Sequence, residues 1–306
     1  MAISSIPMPG KRFVIGVPFV WLFVFFFLPF LILLYISFVD MGSDIHPFKP
    51  LWDSTAGVLK LKYENYLSIL RTEEGAPLFK TLYVDAYLRS IGYALITALL
   101  CLVLGYPFAY FIARAPESVR PALLLMVMLP FWTSFLLRVY AWKGLLADQG
   151  VINRFLMSIG IIGEPMQMLY TNVSMLVGMT YVYLPFMILP LYANLVKMDF
   201  RLLEAAYDLG TTPFKAFWLI TVPLSKAGII AGFMLVFIPC VGEFVIPSLL
   251  GGPENLMIGR VVWDEMFTAN DWPKATALAV VMIALIVIPL AIYYHYTGER
   301  DEGAKS

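Results

Sequence analysis

Glu243 stands in Ile238-Pro239-Cys240-Val241-Gly242-Glu243-Phe244-Val245-Ile246-Pro247, a carboxylate inside an otherwise apolar run. A charge at bilayer depth costs about 2.5 to 3.5 kcal/mol on insertion scales unless it faces a partner or a watery path. Two prolines and a glycine interrupt this run, and irregular backbone at such depth is tolerated only beside protein or a cavity. Glu243 is therefore expected to line a route, where it either meets a cationic substrate or pairs with Arg138; the sequence leaves both open. Around Arg138, the stretch Phe131-Trp132-Thr133-Ser134-Phe135-Leu136-Leu137-Arg138-Val139-Tyr140-Ala141-Trp142 mixes rings with hydroxyls. Trp132 and Tyr140 are candidates to offer a π face to an ammonium, and Tyr183 is another, although most such rings pack or anchor at an interface. Asp85, beside Tyr87 at the expected outer mouth of a span, either attracts cations or caps a helix. Bond-making chemistry has no residues to use. The only histidines are His46 and His295, and Cys101 and Cys240 lie in apolar runs as small hydrophobes. No metal site, cofactor or catalytic set is expected.

The elements that hold these residues follow from composition. Of 306 residues, 60% are hydrophobic and 14% charged, which marks an integral membrane protein. The net charge of zero gives no reason to expect nucleic acid as a partner. A helix needs about 20 apolar residues to cross the hydrocarbon core. Six such segments are expected, at residues 14–39, 90–113, 121–146, 172–196, 227–250 and 275–298, in one membrane domain over residues 1–306. The first is uncharged and too long for a signal peptide, so it reads as a retained anchor. Lys11, Arg12, Arg114, Arg120, Lys197, Arg201, Lys215, Lys226, Arg300 and Lys305 crowd four short pieces of chain. The opposite pieces are longer and diluted by acids such as Asp44, Asp53, Glu64, Glu73 and Glu74. This asymmetry places both termini and residues 201–223 in the cytoplasm. Residues 63–67 are expected to form a short helix in the long connection 40–87. Asp148 to Pro165 is expected to hold an amphipathic helix with Val151, Phe155 and Ile159 on one face.

Residues 201–223 read RLLEAAYDLGTTPFKAFWLITVP. Glu204-Ala205-Ala206 lies in a helix-favouring run that Gly210 ends. Thr211 or Thr212 then caps a second helix with Pro213 at its first position. Two short helices joined at Gly210 are expected. No G-x-x-x-x-G-K-[ST] phosphate loop occurs in the chain. The chain is not expected to cradle nucleotide phosphates in that way.

The pattern Glu204-Ala205-Ala206, three residues, Gly210, nine residues, Ile220-Thr221-Val222-Pro223 resembles the EAA loop of permease subunits in binding-protein-dependent ABC importers, with Val222 standing where Leu is more frequent. Gly242 to Pro253, then Met257-Ile258-Gly259-Arg260, Tyr140-Ala141-Trp142 and Asp271-Trp272-Pro273, resemble the polyamine subgroup, putrescine permeases more than spermidine ones. The resemblance implies an all-α fold of six transmembrane helices with a cytoplasmic coupling helix, in a bacterial inner membrane. It implies a non-catalytic subunit that pairs with a second homologous permease as a heterodimer. Two copies of an ABC ATPase would seat on the loops, with Glu204, Ala205, Ala206 and Gly210 as the link, and a periplasmic substrate-binding protein would deliver a small cation. Import of another small solute, such as a phosphonate, iron or an amino-acid derivative, and ion-coupled secondary transport remain alternatives.

Overall fold

The computed structural model describes residues 10–43, 47–53, 58–59, 61–70 and 82–303. Asp44, His46, Glu73, Glu74 and Lys305 lie outside them, as do the side chains of Lys11, Arg12, Asp53, His295 and Arg300. In chain order, α1 (Lys11–Leu22) continues through a π turn at Phe23–Phe27 into α2 (Leu28–Ser37). A two-residue antiparallel ribbon pairs β1 (Trp52–Asp53) with β2 (Val58–Leu59), and α3 (Glu64–Leu70) follows. Then come α4 (Leu82–Arg114), α5 (Arg120–Met128), α6 (Phe135–Leu146), α7 (Val151–Ser158) and α8 (Asn172–Leu195). The polar loop contributes α9 (Arg201–Asp208), α10 (Pro213–Ala216), a π turn at Phe217–Thr221 and α11 (Val222–Leu224). Last are α12 (Lys226–Val241), α13 (Val245–Leu250), α14 (Ile258–Trp263) and α15 (Trp272–Gly303).

Among the described residues, three helical stretches are long and apolar enough to cross a membrane: Phe13–Ser37, Leu82–Arg114 and Asn172–Leu195. Two bent pairs bring the number to five if each counts as one span: Arg120–Trp132 with Phe135–Ser158, bent by 86°, and Pro213–Leu224 with Lys226–Val241, bent by 69°. The first part of α15, Trp272–Ile288, is apolar as well. The segment 121–146, expected to be continuous, is thus broken. Leu129–Trp132 forms a 3₁₀ turn, and the Thr133 hydroxyl donates to the Pro130 carbonyl at 2.7 Å, where an α-helix would place a backbone N–H.

One compact unit contains α1 to α3 and α15; the other runs from α4 through Val261. In the first, the end of α2 is held by α3 and the residues before it. Buried Asn65 donates to the Ser37 and Val39 carbonyls, the Lys62 N–H to Phe38, and Lys62 Nζ lies 2.6 Å from Asp40. These partners satisfy the carbonyls a helix end leaves open.

In the second unit α4, α8 and α12 pack around one another. Hydrophobicity alone gives no reason for apolar helices to associate in lipid, so close approach by small residues must. Ala94, Ala98, Ala109 and Ala113 of α4 are fully buried, as are the large side chains Met175, Met179, Met187 and Leu191 of α8, a helix that α4 packs against. Cys101 and Cys240 are buried here as free thiols. Two of the elements expected outside the spans are present: α3 covers residues 64–70. The helix α7 is tied at buried Asn153, which binds both the N–H and the carbonyl of Met166.

Candidate functional site

Helix α12 stops at Val241, Gly242 and Glu243 leave helical hydrogen bonding, and α13 starts at Val245. The break creates the site. Glu243 Oε1 accepts from the N–H of Val245 at 3.0 Å and of Ile246 at 3.4 Å, so the carboxylate caps the helix that follows it. Its other oxygen accepts from the Tyr183 hydroxyl of α8 at 2.6 Å. All three donors are neutral. They solvate the carboxylate without balancing a charge, which leaves the half-buried group suited to a cation.

The close approach of α14 holds the break in shape. A β-carbon added at Gly259 would collide with the Gly242 carbonyl oxygen and lie 2.9 Å from that of Glu243. The backbone N–H of Ile258 is fixed by Ser90 of α4 at 2.7 Å. Gly259→Ala is therefore expected to displace the Gly242–Glu243 backbone and, if the site lies on a transport path as the sequence resemblance implies, to cut uptake about tenfold or more without loss of membrane insertion, as read by an uptake assay and by size-exclusion of the purified protein. Wild-type uptake would show that the break tolerates movement.

Of the ring candidates, the structure joins only Tyr183 to Glu243. Trp132 and Tyr140 are 76% and 55% exposed, and neither makes a hydrogen bond or ring contact with Glu243 or Tyr183 among the described residues. Arg138 and Glu243 form no ion pair with each other in this structure. Arg138 is 9% exposed, with Nε and Nη1 unpartnered and its guanidinium 5.1 Å from the Phe131 centroid and 6.0 Å from that of Phe135. Asp85 is half-buried in the first turn of α4. Two rings not singled out in the sequence stand between the charged groups. Phe131 and Phe186 meet edge to face at 5.1 Å, and Phe186 lies 6.2 Å from Tyr183. The i, i+3 spacing of Tyr183 and Phe186 on one helix face was the available signal.

The polar loop folds as two helices. Gly210 has φ +79°, its N–H reaches the Tyr207 carbonyl at 2.9 Å, and the Thr211 N–H reaches Ala206 at 3.0 Å, the paired bonds of a left-handed helix stop. The Thr212 hydroxyl accepts from the Lys215 N–H at 3.4 Å, with Pro213 in the first turn. Ala206 is buried with Leu203 and Ala216 in a small core, whereas Glu204, Ala205 and Gly210 are exposed. The π turn is seated on α4: Phe217 packs edge-on against Tyr106 at 5.3 Å and Tyr110 at 6.4 Å. Where the 69° bend occurs, Ser225 bonds the Tyr106 hydroxyl at 2.8 Å.

No protein-family model matches the chain. It is 38% identical over 274 residues to the spermidine/putrescine transport system permease protein PotB of Salmonella typhimurium, covering 90% of this chain and 89% of that one. The PotB protein of Escherichia coli is 37% identical, over 90% of this chain and 93% of its own. An inner membrane ABC transporter permease, YdcU of Escherichia coli, is 33% identical over 70% of this chain and 72% of its own. Among solved structures, a bacterial ABC transporter that imports the polysaccharide alginate superposes with a TM-score of 0.66 at 14% identity, covering 95% of this chain and 96% of that one. The fold is that of an ABC importer permease.

Proposed function

The chain belongs to the spermidine/putrescine permease family of ABC importers, and from that premise we propose that it passes polyamines, putrescine ahead of spermidine, through a path lined by Glu243 and Tyr183. As a permease subunit of the inner membrane it is not itself an enzyme. The observation that carries the reading is the Glu243 carboxylate, met by two backbone N–H groups and a tyrosine hydroxyl and, among the described residues, by no cation. A polyamine ammonium would supply the missing charge, and the neighbouring rings suit its apolar stem.

The six-span arrangement, with both termini and residues 201–223 on the cytoplasmic side, belongs to this reading. So does a partnership with a second, homologous permease around a shared path. The exposed turn at Gly210, with Glu204 and Ala205 beside it, seats on an ATPase subunit, one copy for each permease. ATP hydrolysis there moves the loop, and the path alternates between two openings. A soluble periplasmic protein delivers cargo, consistent with the periplasmic protein bound to the alginate transporter of similar fold.

The test is ATPase stimulation of the purified whole complex in lipid by its binding protein loaded with putrescine, with spermidine or left empty. Stimulation by the loaded forms over the empty one supports the reading, with putrescine giving the larger effect. Equal rates in all three, or uptake that follows a proton or sodium gradient and survives ATP depletion, overturn it.

A further inference from the structure

Small residues recur at every fourth position on one face of α4: Ala86, Ser90, Ala94 and Ala98, all buried. Such a row lets helices approach closely, and alanine serves that purpose without a polar group to satisfy. One member of the row is a serine. Its hydroxyl, fully buried, accepts from the backbone N–H of Ile258 at 2.7 Å, across 168 residues of sequence. Ile258 is the first residue of α14, and the first N–H groups of a helix have no partner within it. Ser90 therefore caps α14 from another helix.

The next residue, Gly259, lies so close to the carbonyls of Gly242 and Glu243 that no β-carbon fits. The bond from α4 is thus one residue away from the contact with the backbone that carries Glu243. The connection between α13 and α14 is pinned in the same manner along its length. Ser174 of α8 donates to the Leu250 carbonyl at 2.7 Å, and Gly252 approaches the Tyr170 carbonyl too closely for a β-carbon. Arg89 Nη1 donates to the Glu254 carbonyl, and the Tyr93 hydroxyl lies 2.9 Å from Oδ1 of buried Asn255. Arg89 and Ser90 each share a helix face with Tyr93, at i, i+4 and i, i+3 spacing.

We propose that Ser90 is a positioning residue for Glu243: by fixing Ile258 it sets where Gly259 meets the Gly242 and Glu243 carbonyls, and through that contact where the carboxylate is presented to cargo. The inference rests on the reading of Glu243 as the carboxylate that meets the ammonium, and deepens it by naming what holds that carboxylate in place. Ser90 touches no cargo, being fully buried. Without its hydroxyl the Ile258 N–H becomes a buried donor lacking its acceptor, and the hold on α14 is lost. Glu243 cannot correct a shift of its own backbone by turning its side chain, because both carboxylate oxygens are already committed to α13 and Tyr183. Misplacement of a binding group by about 1 Å can cost about a hundredfold in rate, so a fraction of that shift is enough to register.

The experiment is a double-mutant cycle on putrescine uptake by the whole importer in proteoliposomes, supplied with loaded binding protein and ATP, with size-exclusion of each purified complex beside it. Ser90→Ala is expected to cut uptake about tenfold in the otherwise wild-type importer. In the Glu243→Gln background it is expected to change uptake by less than about twofold, because a residue that acts through the carboxylate then has nothing left to position. Ser90→Thr, which keeps the acceptor, is expected to retain about half of the wild-type rate or more. An equal fractional loss in both backgrounds assigns Ser90 to packing and overturns the proposal, as does a Ser90→Thr variant no more active than Ser90→Ala. If Ser90→Ala does not assemble, Ser90→Cys, close in volume and a weak acceptor, takes its place in the cycle; failure of both to assemble assigns Ser90 to folding and also overturns the proposal. Uptake that falls with Glu243→Gln but not with Ser90→Ala sinks the positioning role alone. Uptake unchanged by Glu243→Gln sinks the reading of Glu243, and the positioning role with it.

Discussion

Glu243→Gln is expected to lower polyamine uptake by the assembled importer about thirtyfold or more, with normal insertion and assembly. The substitution keeps size and planarity. Its amide oxygen still accepts from the Val245 and Ile246 N–H groups, so α13 keeps its cap, and its NH₂ can donate to the Tyr183 oxygen in place of the present bond. The negative charge alone is lost. Removing one member of a desolvated charge pair costs about 2 to 5 kcal/mol, and the low end of that range is about thirtyfold in affinity. Glu243→Asp separates charge from reach: the shorter side chain keeps the charge but cannot hold α13 and Tyr183 together, so intermediate uptake is expected. The measurement is putrescine uptake into proteoliposomes at saturating ATP, with ATPase stimulation recorded beside it. Unchanged uptake by the Gln variant would leave Glu243 with a capping role only.

Why Glu243 was visible in the sequence, and its neighbours were not, has a physical reason. A lone carboxylate flanked by Pro239, Gly242 and Pro247 violates both the apolar rule and the helical rule for a span, and a double violation points to a site. The same local logic located the turn at Gly210 and narrowed the cap to Thr211 or Thr212, of which the structure uses Thr212, because positive φ and N-capping are properties of a few adjacent residues. Phe131 and Phe186 break no rule. A phenylalanine in an apolar segment is the ordinary case, and only the fold, by bringing α8 against the turn that follows α5, lines the two up between Glu243 and Arg138. Trp132 and Tyr140 drew attention as π faces for an ammonium, and the structure leaves both exposed, without a contact to Glu243 or Tyr183 among the described residues. The break at Thr133 was hidden for a related reason. The average over residues 121–146 is apolar despite Arg138 and Lys143, and a turn tied by the Thr133 hydroxyl to the Pro130 carbonyl does not register in such an average.

Gly210→Val is expected to abolish ATP-driven uptake while the protein still inserts and binds its partner permease. An L-residue in the left-handed conformation costs about 1 to 2 kcal/mol, and a β-branched one more. That strain is confined to the backbone of the turn itself, since beyond its chain neighbours a β-carbon at Gly210 would meet nothing within 4 Å. The spans behind the loop are therefore left undisturbed, and the cost falls on the turn. The turn carries a surface that calls for a partner: Leu209 is 86% exposed and Phe214 74% exposed, outside the small core of Leu203, Ala206 and Ala216. A valine here changes the angle between α9 and α10 and adds bulk at their joint. Gly210→Asn, which tolerates positive φ, is expected to retain a substantial part of the activity, and Gly210→Ala to fall between the two. Uptake and binding-protein-stimulated ATPase should fall together, because a loop that no longer seats cannot report cargo to the motor. Wild-type uptake by the valine variant would remove Gly210 from the coupling path. The size of the expected effect follows from what lies behind the turn. The core of Leu203, Ala206 and Ala216 makes the two helices one body, Phe217 rests on Tyr106 and Tyr110, and Ser225 is bonded to Tyr106 at the bend into α12. Helix α12 ends at the break that holds Glu243, so a displacement at Gly210 has a packed route to the carboxylate, and a loop that seats wrongly delivers none.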